Sequence, residues 1–188
     1  MLHYLKEYNN YVEITGYKNV EFGKAEKFLK TTRKKSKSSS DLQFFDADLI
    51  ATEEHLYFAT LNALQAFQSK TNISKSLAME TMLYASAQRQ IQKAIQRSGI
   101  KPQTTNIAVI IIGEDPTQLD KTVESLSNCL EAEPDEKVLE VSKTKKQKII
   151  DAFQISKEAI STVLGHEDHE AALVNLVIEQ IALLSTQL

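Results

Sequence analysis

The chain has 188 residues, of which 42% are hydrophobic and 25% charged, and its net charge is −3. This length predicts a single domain over residues 1–188, large enough to bury a core without a disulfide or a metal staple. Its one cysteine excludes an internal disulfide framework, and the absence of a membrane-spanning apolar run or a signal-peptide core predicts a soluble, cytoplasmic protein.

The first hundred residues predict strands and helices in alternation. Alternating β-formers predict strands, and apolar residues at helical spacing predict helices. Strands are predicted over residues 11–17 and 42–47, and helices over residues 20–35, 52–69 and 72–99. The lysine- and serine-rich segment 34–41 breaks both patterns and predicts a mobile surface loop.

The remaining residues predict one buried strand followed by helices. The continuous β-branched run over residues 106–112 is typical of a central strand buried on both faces. Asp115 and Pro116 then predict a helix start, a cap followed by proline at the first helical position. The apolar stripe of this helix is Leu119, Val123, Leu126 and Leu130. A weak strand is predicted over residues 138–141, and helices over residues 143–153, 157–164 and 167–185. The predicted fold class is α+β, a small, mostly antiparallel sheet packed with helices and a helical C-terminal half.

The sequence contains no pattern that predicts catalysis or a cofactor. No two of the five glycines are near neighbours, which excludes a phosphate-binding loop or a dinucleotide fingerprint. Cys129 lies near an apolar stripe and is typical of a packing thiol. His166 and His169 share a helix face and suit zinc, but they also suit a polar helix start, and no third ligand is identifiable. We therefore expect no metal, no cofactor and no enzyme activity.

The helix over residues 74–98 carries a basic line. Residues 1–100 have a net charge of +4, whereas residues 101–188 have a net charge of −7. On a helical wheel the residues predicted to face the core are Leu77, Tyr84, Ile91 and Ile95. The residues on the opposite side are Lys75, Arg89 and Lys93, with Met79, Met82 and Ser86. Such a row of cations is typical of a contact with the phosphate backbone of a nucleic acid. It is equally typical of a solvent-exposed face on which the methionines make a second packing contact.

Residues 72–91 also carry a recognisable signature. The segment reads Asn72-Ile73-Ser74-Lys75-Ser76-Leu77, then Glu80, Leu83-Tyr84, Ser86 and Arg89-Gln90-Ile91. This pattern resembles the Cgi-type (TPRKB-like) subunit of the KEOPS complex, and the short loops resemble archaeal members. One position departs from the family: Ala87 stands where glycine is usual, and its methyl group would narrow a backbone approach.

The resemblance implies a non-catalytic subunit with two partners. KEOPS forms N6-threonylcarbamoyladenosine at position 37 of tRNA, and its Kae-type subunit performs the transfer. The Cgi-type subunit binds a Bud-type (PRPK-like) atypical kinase. In archaea it also binds the single-stranded 3′ CCA end of tRNA. We expect these partners and no membrane. The alternative is an assembly or regulatory subunit of the kinase without RNA contact.

The resemblance also directs attention to two sets of residues. The expected tRNA-binding residues are Lys70, Asn72, Lys75, Met82, Arg89, Gln90 and Lys93. The cations would contact phosphates, the two amides would contact base edges, and Met79 or Met82 would support a base. The expected kinase-binding residues lie on the final helix, which is apolar around most of its circumference: Leu173, Leu176, Val177, Ile181 and Leu184. Part of that set would equally suit the core.

Overall fold

A four-stranded antiparallel sheet forms the centre of the fold. The computed structural model describes residues 1–34, 40–163 and 169–186. The strands are β1 (Leu2–Leu5), β2 (Asn10–Tyr17), β3 (Ser40–Asp46) and β4 (Ile107–Gly113). Their order across the sheet is β1-β2-β4-β3, and every neighbouring pair is antiparallel.

Strand β4 is buried along its whole length. Because successive side chains of a strand point to opposite faces, Ile107, Val109 and Ile111 enter one core and Ala108, Ile110 and Ile112 the other. Helices cover both faces, which confirms the strand buried on two sides that the β-branched run predicts.

Helices provide most of the rest of the described chain. They are α1 (Phe22–Lys34), α2 (Glu53–Ser69), α3 (Leu77–Ala85), α4 (Ile91–Ser98), α5 (Pro116–Leu130), α6 (Lys143–Phe153), α7 (Lys157–Val163) and α8 (His169–Leu183). Residues of α1 and α5 form one core with the sheet, and residues of the other six helices form the second core on the opposite face. The α+β class and the helical C-terminal half are confirmed.

The start of α5 shows how sequence signals set a helix boundary. The Asp115 carboxylate accepts a hydrogen bond from the Thr117 backbone N–H at 2.9 Å, and Pro116 occupies the first helical position. Leu119, Leu126 and Leu130 are buried and Val123 is half-buried, so the predicted stripe does face a core.

Two strand assignments differ from the sequence pattern. The strand predicted over residues 138–141 is wrong, because residues Glu136–Leu139 form a 3-10 helix that Asp135 caps through the Lys137 N–H. This turn packs so closely on β2 that a Cβ at Gly16 would approach Val138 Cβ to 2.9 Å. Nothing in the sequence pattern predicts β1, since four residues are too few for an alternation to stand out.

The helix predicted over residues 72–99 is wrong as a single element, because a turn separates α3 from α4. A mobile loop is predicted over residues 34–41. In the structure Lys34 is the last residue of α1, and Ser40 and Asp41 are the first residues of β3. Residues 35–39 lie outside the described residues. Among the helices that the structure describes, none combines the length and apolar character needed to cross a membrane.

Candidate functional site

The turn between α3 and α4 lies at the centre of the signature segment. The Ala87 N–H donates to the Tyr84 carbonyl at 2.8 Å, and the Gln88 N–H donates to the Leu83 carbonyl at 3.0 Å. These two bonds form a Schellman motif, in which the residue after the helix cap adopts the left-handed conformation. That residue is Ala87, with a φ of 48°.

This geometry explains the glycine of the resembled signature. A glycine adopts positive φ without steric strain, whereas an alanine at the same position brings its Cβ too close to the following carbonyl. The expectation that the Ala87 methyl group narrows a backbone approach stays a prediction, and the positive φ adds a second consequence, strain in the backbone of the turn itself.

Two side chains hold this turn in place, the buried His55 and the half-buried Arg97. The His55 ring accepts a hydrogen bond from the Ala51 N–H at Nδ1 (3.1 Å), so its proton lies on Nε2, which donates to the Ala85 carbonyl at 2.8 Å. Burial lowers the pKa of His55 to about 4, which keeps the ring neutral at pH 7. On the other side, Arg97 Nη1 donates to the Ser86 carbonyl at 2.9 Å.

A buried carboxylate shapes the loop that leads into α3. Glu80 is almost fully buried, and it accepts hydrogen bonds from the Ile73 N–H at 3.1 Å and the Ser74 N–H at 2.6 Å. The Asn72 amide donates to the Ser74 carbonyl at 2.8 Å within the same loop. The signature residues Asn72, Ser74 and Glu80 thus build a fixed loop that leaves Lys75 exposed.

Six of the seven expected RNA-contact residues fall into two groups rather than on one helix face. The first group, near the N-terminus of α3, is Lys70, Asn72 and Lys75, and the second, near the N-terminus of α4, is Arg89, Gln90 and Lys93. All of them are exposed except Asn72, which is half-buried. The nine residues of α3 lie between the two groups and span about 13 Å.

The intervening turn also changes which side chains of α4 face the core. Ile91 and Ile95 are 41% and 45% exposed, contrary to the helical wheel, and Ala94 and Ser98 are buried in their place. Because a wheel assumes a continuous helix, the turn at residues 86–90 invalidates it beyond Ala85.

Met82 does not lie at the surface. Its side chain is 0% exposed and belongs to the core that α2 and α8 share, so it provides no floor for a base in this structure. Met79, on the same helix, is half-buried. Met82 is buried because α3 packs against other elements around most of its circumference. A helical wheel with one core face and one solvent face does not predict this.

An open cavity of about 490 Å³ adjoins α4. Its lining residues are Leu49, Gln88, Lys93, Gln96, Arg97, Lys101 and Ala152. In the part of the chain that the structure describes, three cations and no acidic side chain line this cavity. Of these cations only Lys93 is anticipated from the sequence. The available signal for Arg97 is its spacing, since Arg89, Lys93 and Arg97 follow one another at intervals of four residues.

Most apolar side chains of α8, and that of Leu184 directly after it, pack inside the core of this chain. Leu173, Val177, Ile181 and Leu184 are buried in the core with α2, so the structure places them away from the surface where a partner would bind. Leu176 is half-buried, and Leu183, seven residues further on, is 47% exposed. The set of expected kinase contacts is revised accordingly.

A buried lysine and the single cysteine are both held by contacts within the chain. Lys145 is buried and donates to the Val138 and Glu140 carbonyls at 3.0 and 3.2 Å, and burial lowers its pKa to about 8. Cys129 is half-buried, with its Sγ 3.9 Å from the Lys24 carbonyl, as a packing thiol would be. His166 lies outside the described residues, and within them no group of three or more metal-ligating side chains is found.

Comparison with known proteins identifies the family. The model of the family described as "Kinase binding protein CGI-121" matches residues 17–185, which is most of the chain. The "Regulatory protein Cgi121" of Methanocaldococcus jannaschii is 34% identical over 113 residues, which cover 60% of this chain and 70% of that protein. The exposed basic turn and the helical C-terminal half described above thus belong to a member of the CGI-121 family of kinase-binding proteins.

Proposed function

We propose that this chain is a non-catalytic KEOPS subunit that binds a Bud-type atypical kinase and holds the 3′ CCA end of tRNA during threonylcarbamoyladenosine formation. The kinase partner is supported by the family description, and a regulatory role by the name of the relative. The RNA contact rests on one observation of this structure, the exposed cations that the signature turn presents at the start of α4.

The cations of this region suit a phosphate backbone. Arg89 and Lys93 are exposed and four residues apart, and Lys93 also lines the basic cavity beside α4. Cations that neutralise phosphates release counterions, which provides affinity without base specificity. The second group, with Lys70 and Lys75, extends the track beyond α3.

Unpaired bases need partners of another kind. Gln90 is exposed at the start of α4, and an amide both donates to and accepts from base edges. Ile91 and Ile95 provide exposed apolar surface in the same region, and they replace Met82 as the proposed support for bases. Asn72 remains a proposed contact through the amide atoms that its bond to Ser74 leaves available.

The kinase contact is proposed on the outer face of α8. Leu176 and Leu183 are seven residues apart, so they lie on one side of the helix, and neither is fully buried. Leu173, Val177, Ile181 and Leu184 support this face from the core behind it. Holding the tRNA tail while the kinase is bound raises the effective concentration of tRNA at the Kae-type transferase.

A binding titration tests the RNA part of the proposal. Intact tRNA and the same tRNA trimmed of its 3′ CCA are titrated against the wild-type chain, and the intact form is expected to bind more tightly. Equal affinity would place RNA binding elsewhere on the molecule. No affinity for either form would favour the alternative of a purely regulatory subunit of the kinase.

A further inference from the structure

Strand β1 is a free edge of the sheet. In the part of the chain that the structure describes, β1 pairs with β2 on one side and with no strand on the other. The Ile14 N–H donates to the Met1 carbonyl at 3.0 Å, and the Met1 ammonium donates to the Ile14 carbonyl at 2.6 Å. Because bonded and non-bonded pairs alternate along an antiparallel ladder, the backbone N–H and C=O groups of Leu2 and Tyr4 point away from β2. The edge therefore offers two donors and two acceptors to another strand.

The side chains of this edge are apolar and exposed. Leu5 packs in the core that contains α2, so by alternation Leu2 and Tyr4 point to the opposite face of the sheet. Although α1 and α5 pack on that face, Leu2 and Tyr4 are 47% and 50% exposed. Natural edge strands are commonly protected from pairing by lysine, proline or a bulge, and the residues Leu2–Leu5 contain none of these. The edge is thus open to another strand in both its backbone and its side chains.

This edge is complementary to a second copy of itself. If two β1 strands pair antiparallel about a twofold axis at His3, Leu2 of each copy lies opposite Tyr4 of the other. These are the residues whose backbone groups point outward, so four hydrogen bonds form between the copies and no outward group of Leu2 or Tyr4 is left over. The exposed leucine and tyrosine also cover each other as cross-strand pairs, which stabilise a sheet.

The charges at the two ends of β1 are complementary as well. Glu13 and Glu136 lie 2.7 and 3.6 Å from the Met1 ammonium, so two carboxylates face one cation at this end. Lys6 directly follows the other end and is exposed. Antiparallel pairing brings Lys6 of each copy towards the Met1 end of the other, where the carboxylates are in excess. A second copy therefore matches this edge in hydrogen bonding, apolar contact and charge.

We propose that two copies of this chain associate through β1, so that their sheets join into one continuous sheet across a twofold axis at His3. The strand has four residues, and interfaces that bury less than about 1,200 Å² are typical of weak, transient complexes. The association is therefore a reversible one that depends on protein concentration. It is independent of the RNA and kinase contacts proposed above, since neither of them uses β1.

Sedimentation velocity of the chain without an N-terminal tag tests the association, at concentrations from about 1 µM to about 1 mM, which cover weak affinities. Wild type is expected to shift from monomer to dimer as the concentration rises. Leu2→Lys is expected to stay monomeric over the same range, because a charge on the edge opposes pairing. Its thermal melt at the lowest concentration checks that the monomer is folded. Ile95→Lys replaces an equally exposed apolar residue on α4, and this control should dimerise as wild type does.

Cysteine cross-linking tests the register, in a Cys129→Ala background that removes the native thiol. In the proposed pairing His3 faces His3 of the second copy as a non-bonded pair, with Cα atoms about 4.5 Å apart. A disulfide spans this distance, so His3→Cys is expected to form a covalent dimer in a glutathione redox buffer. Tyr4→Cys faces Leu2 instead and should remain uncrosslinked.

Three results would overturn the proposal. The first is a wild-type chain that stays monomeric over the whole concentration range. The second is a dimer that Leu2→Lys leaves unchanged, which would place the interface elsewhere on the molecule. The third is cross-linking of Tyr4→Cys in preference to His3→Cys, which would exclude the twofold axis at His3.

Discussion

Ala87 is the residue whose conformation is least suited to its side chain. Its φ of 48° lies in the left-handed region, where an L-residue such as alanine costs about 1–2 kcal/mol. Glycine avoids this strain, although it loses more conformational entropy on folding than alanine does. The two effects oppose each other, and the steric effect is the larger.

We predict that Ala87→Gly raises the free energy of unfolding by about 0.5–1 kcal/mol, which urea denaturation measures. Ala182→Gly, at an exposed position of α8 with helical backbone, is the control and should lower the same quantity. A lower stability for Ala87→Gly would show that the turn carries no left-handed strain.

His55 makes stability depend on pH. Burial holds the pKa of the folded state at about 4, whereas the unfolded ring titrates near its ordinary value of 6.5. Between these values the unfolded state binds more protons, so stability rises with pH and is lost as pH falls from 6.5 towards 4. By this reasoning, moving from pH 7 to pH 5 removes about 2 kcal/mol.

We predict that His55→Gln is less stable than wild type at pH 7 but loses less stability between pH 7 and pH 5. All other ionisable residues are the same in the two proteins, so their contributions to the pH dependence cancel in the comparison. Urea denaturation at the two pH values measures the difference. An unchanged pH dependence in the variant would show that the His55 ring is not held neutral.

At the scale of elements, the turn between α3 and α4 shows where sequence patterns stop being informative. A glycine at position 87 would have signalled a helix end, because glycine is the usual residue after a cap. With alanine there, the apolar spacing runs on without interruption and predicts one long helix. Ile91 and Ile95 are exposed because the turn changes the direction of the chain. A helical wheel that does not include the turn places them on the wrong face.

Helix α8 presents the opposite difficulty, since its residues are apolar on nearly every side. Such a pattern predicts burial without indicating which face packs inside and which meets a partner. The structure resolves this by placing Leu173 in the core and Leu183 at the surface. The residue types do not distinguish these two positions, because both are leucine.

We predict that Leu183→Asp abolishes association with the kinase without changing the melting temperature by more than a few degrees, because its side chain is exposed. Leu173→Asp should instead unfold the chain, since an unpaired charge would be buried. Copurification and thermal melts of both variants measure this. Kinase binding retained by Leu183→Asp would remove this face of α8 from the proposed interface.

At the scale of the whole molecule, the sequence predicts strands β2 and β4 and the start of α5 best, whereas it misses β1. The run that forms β4, the alternation of β2 and the Asp115 cap are local signals with direct physical causes, and the structure agrees with each. The candidate site is harder to predict, because it depends on long-range packing. The cavity beside α4 brings together Leu49, Arg97 and Ala152, which no sequence window contains.

The two proposed surfaces are neighbours in the folded chain. Arg89 Nη1 lies 3.4 Å from the Leu184 carbonyl, which follows directly after α8. The proposed RNA-contact turn therefore contacts the end of the proposed kinase-contact helix, although 95 residues separate these two positions along the chain.

The most direct test of the RNA-contact turn is a thermodynamic cycle with two proteins and two RNAs. Wild type and Arg89→Glu are each titrated with intact tRNA and with tRNA trimmed of its 3′ CCA, at one low salt concentration. If the turn holds the tail, Arg89→Glu weakens binding of intact tRNA at least tenfold and leaves binding of trimmed tRNA unchanged, so the coupling exceeds about 1.4 kcal/mol. An equal effect of the substitution on both RNAs, or no effect on either, would contradict the assignment of this turn to the tRNA tail.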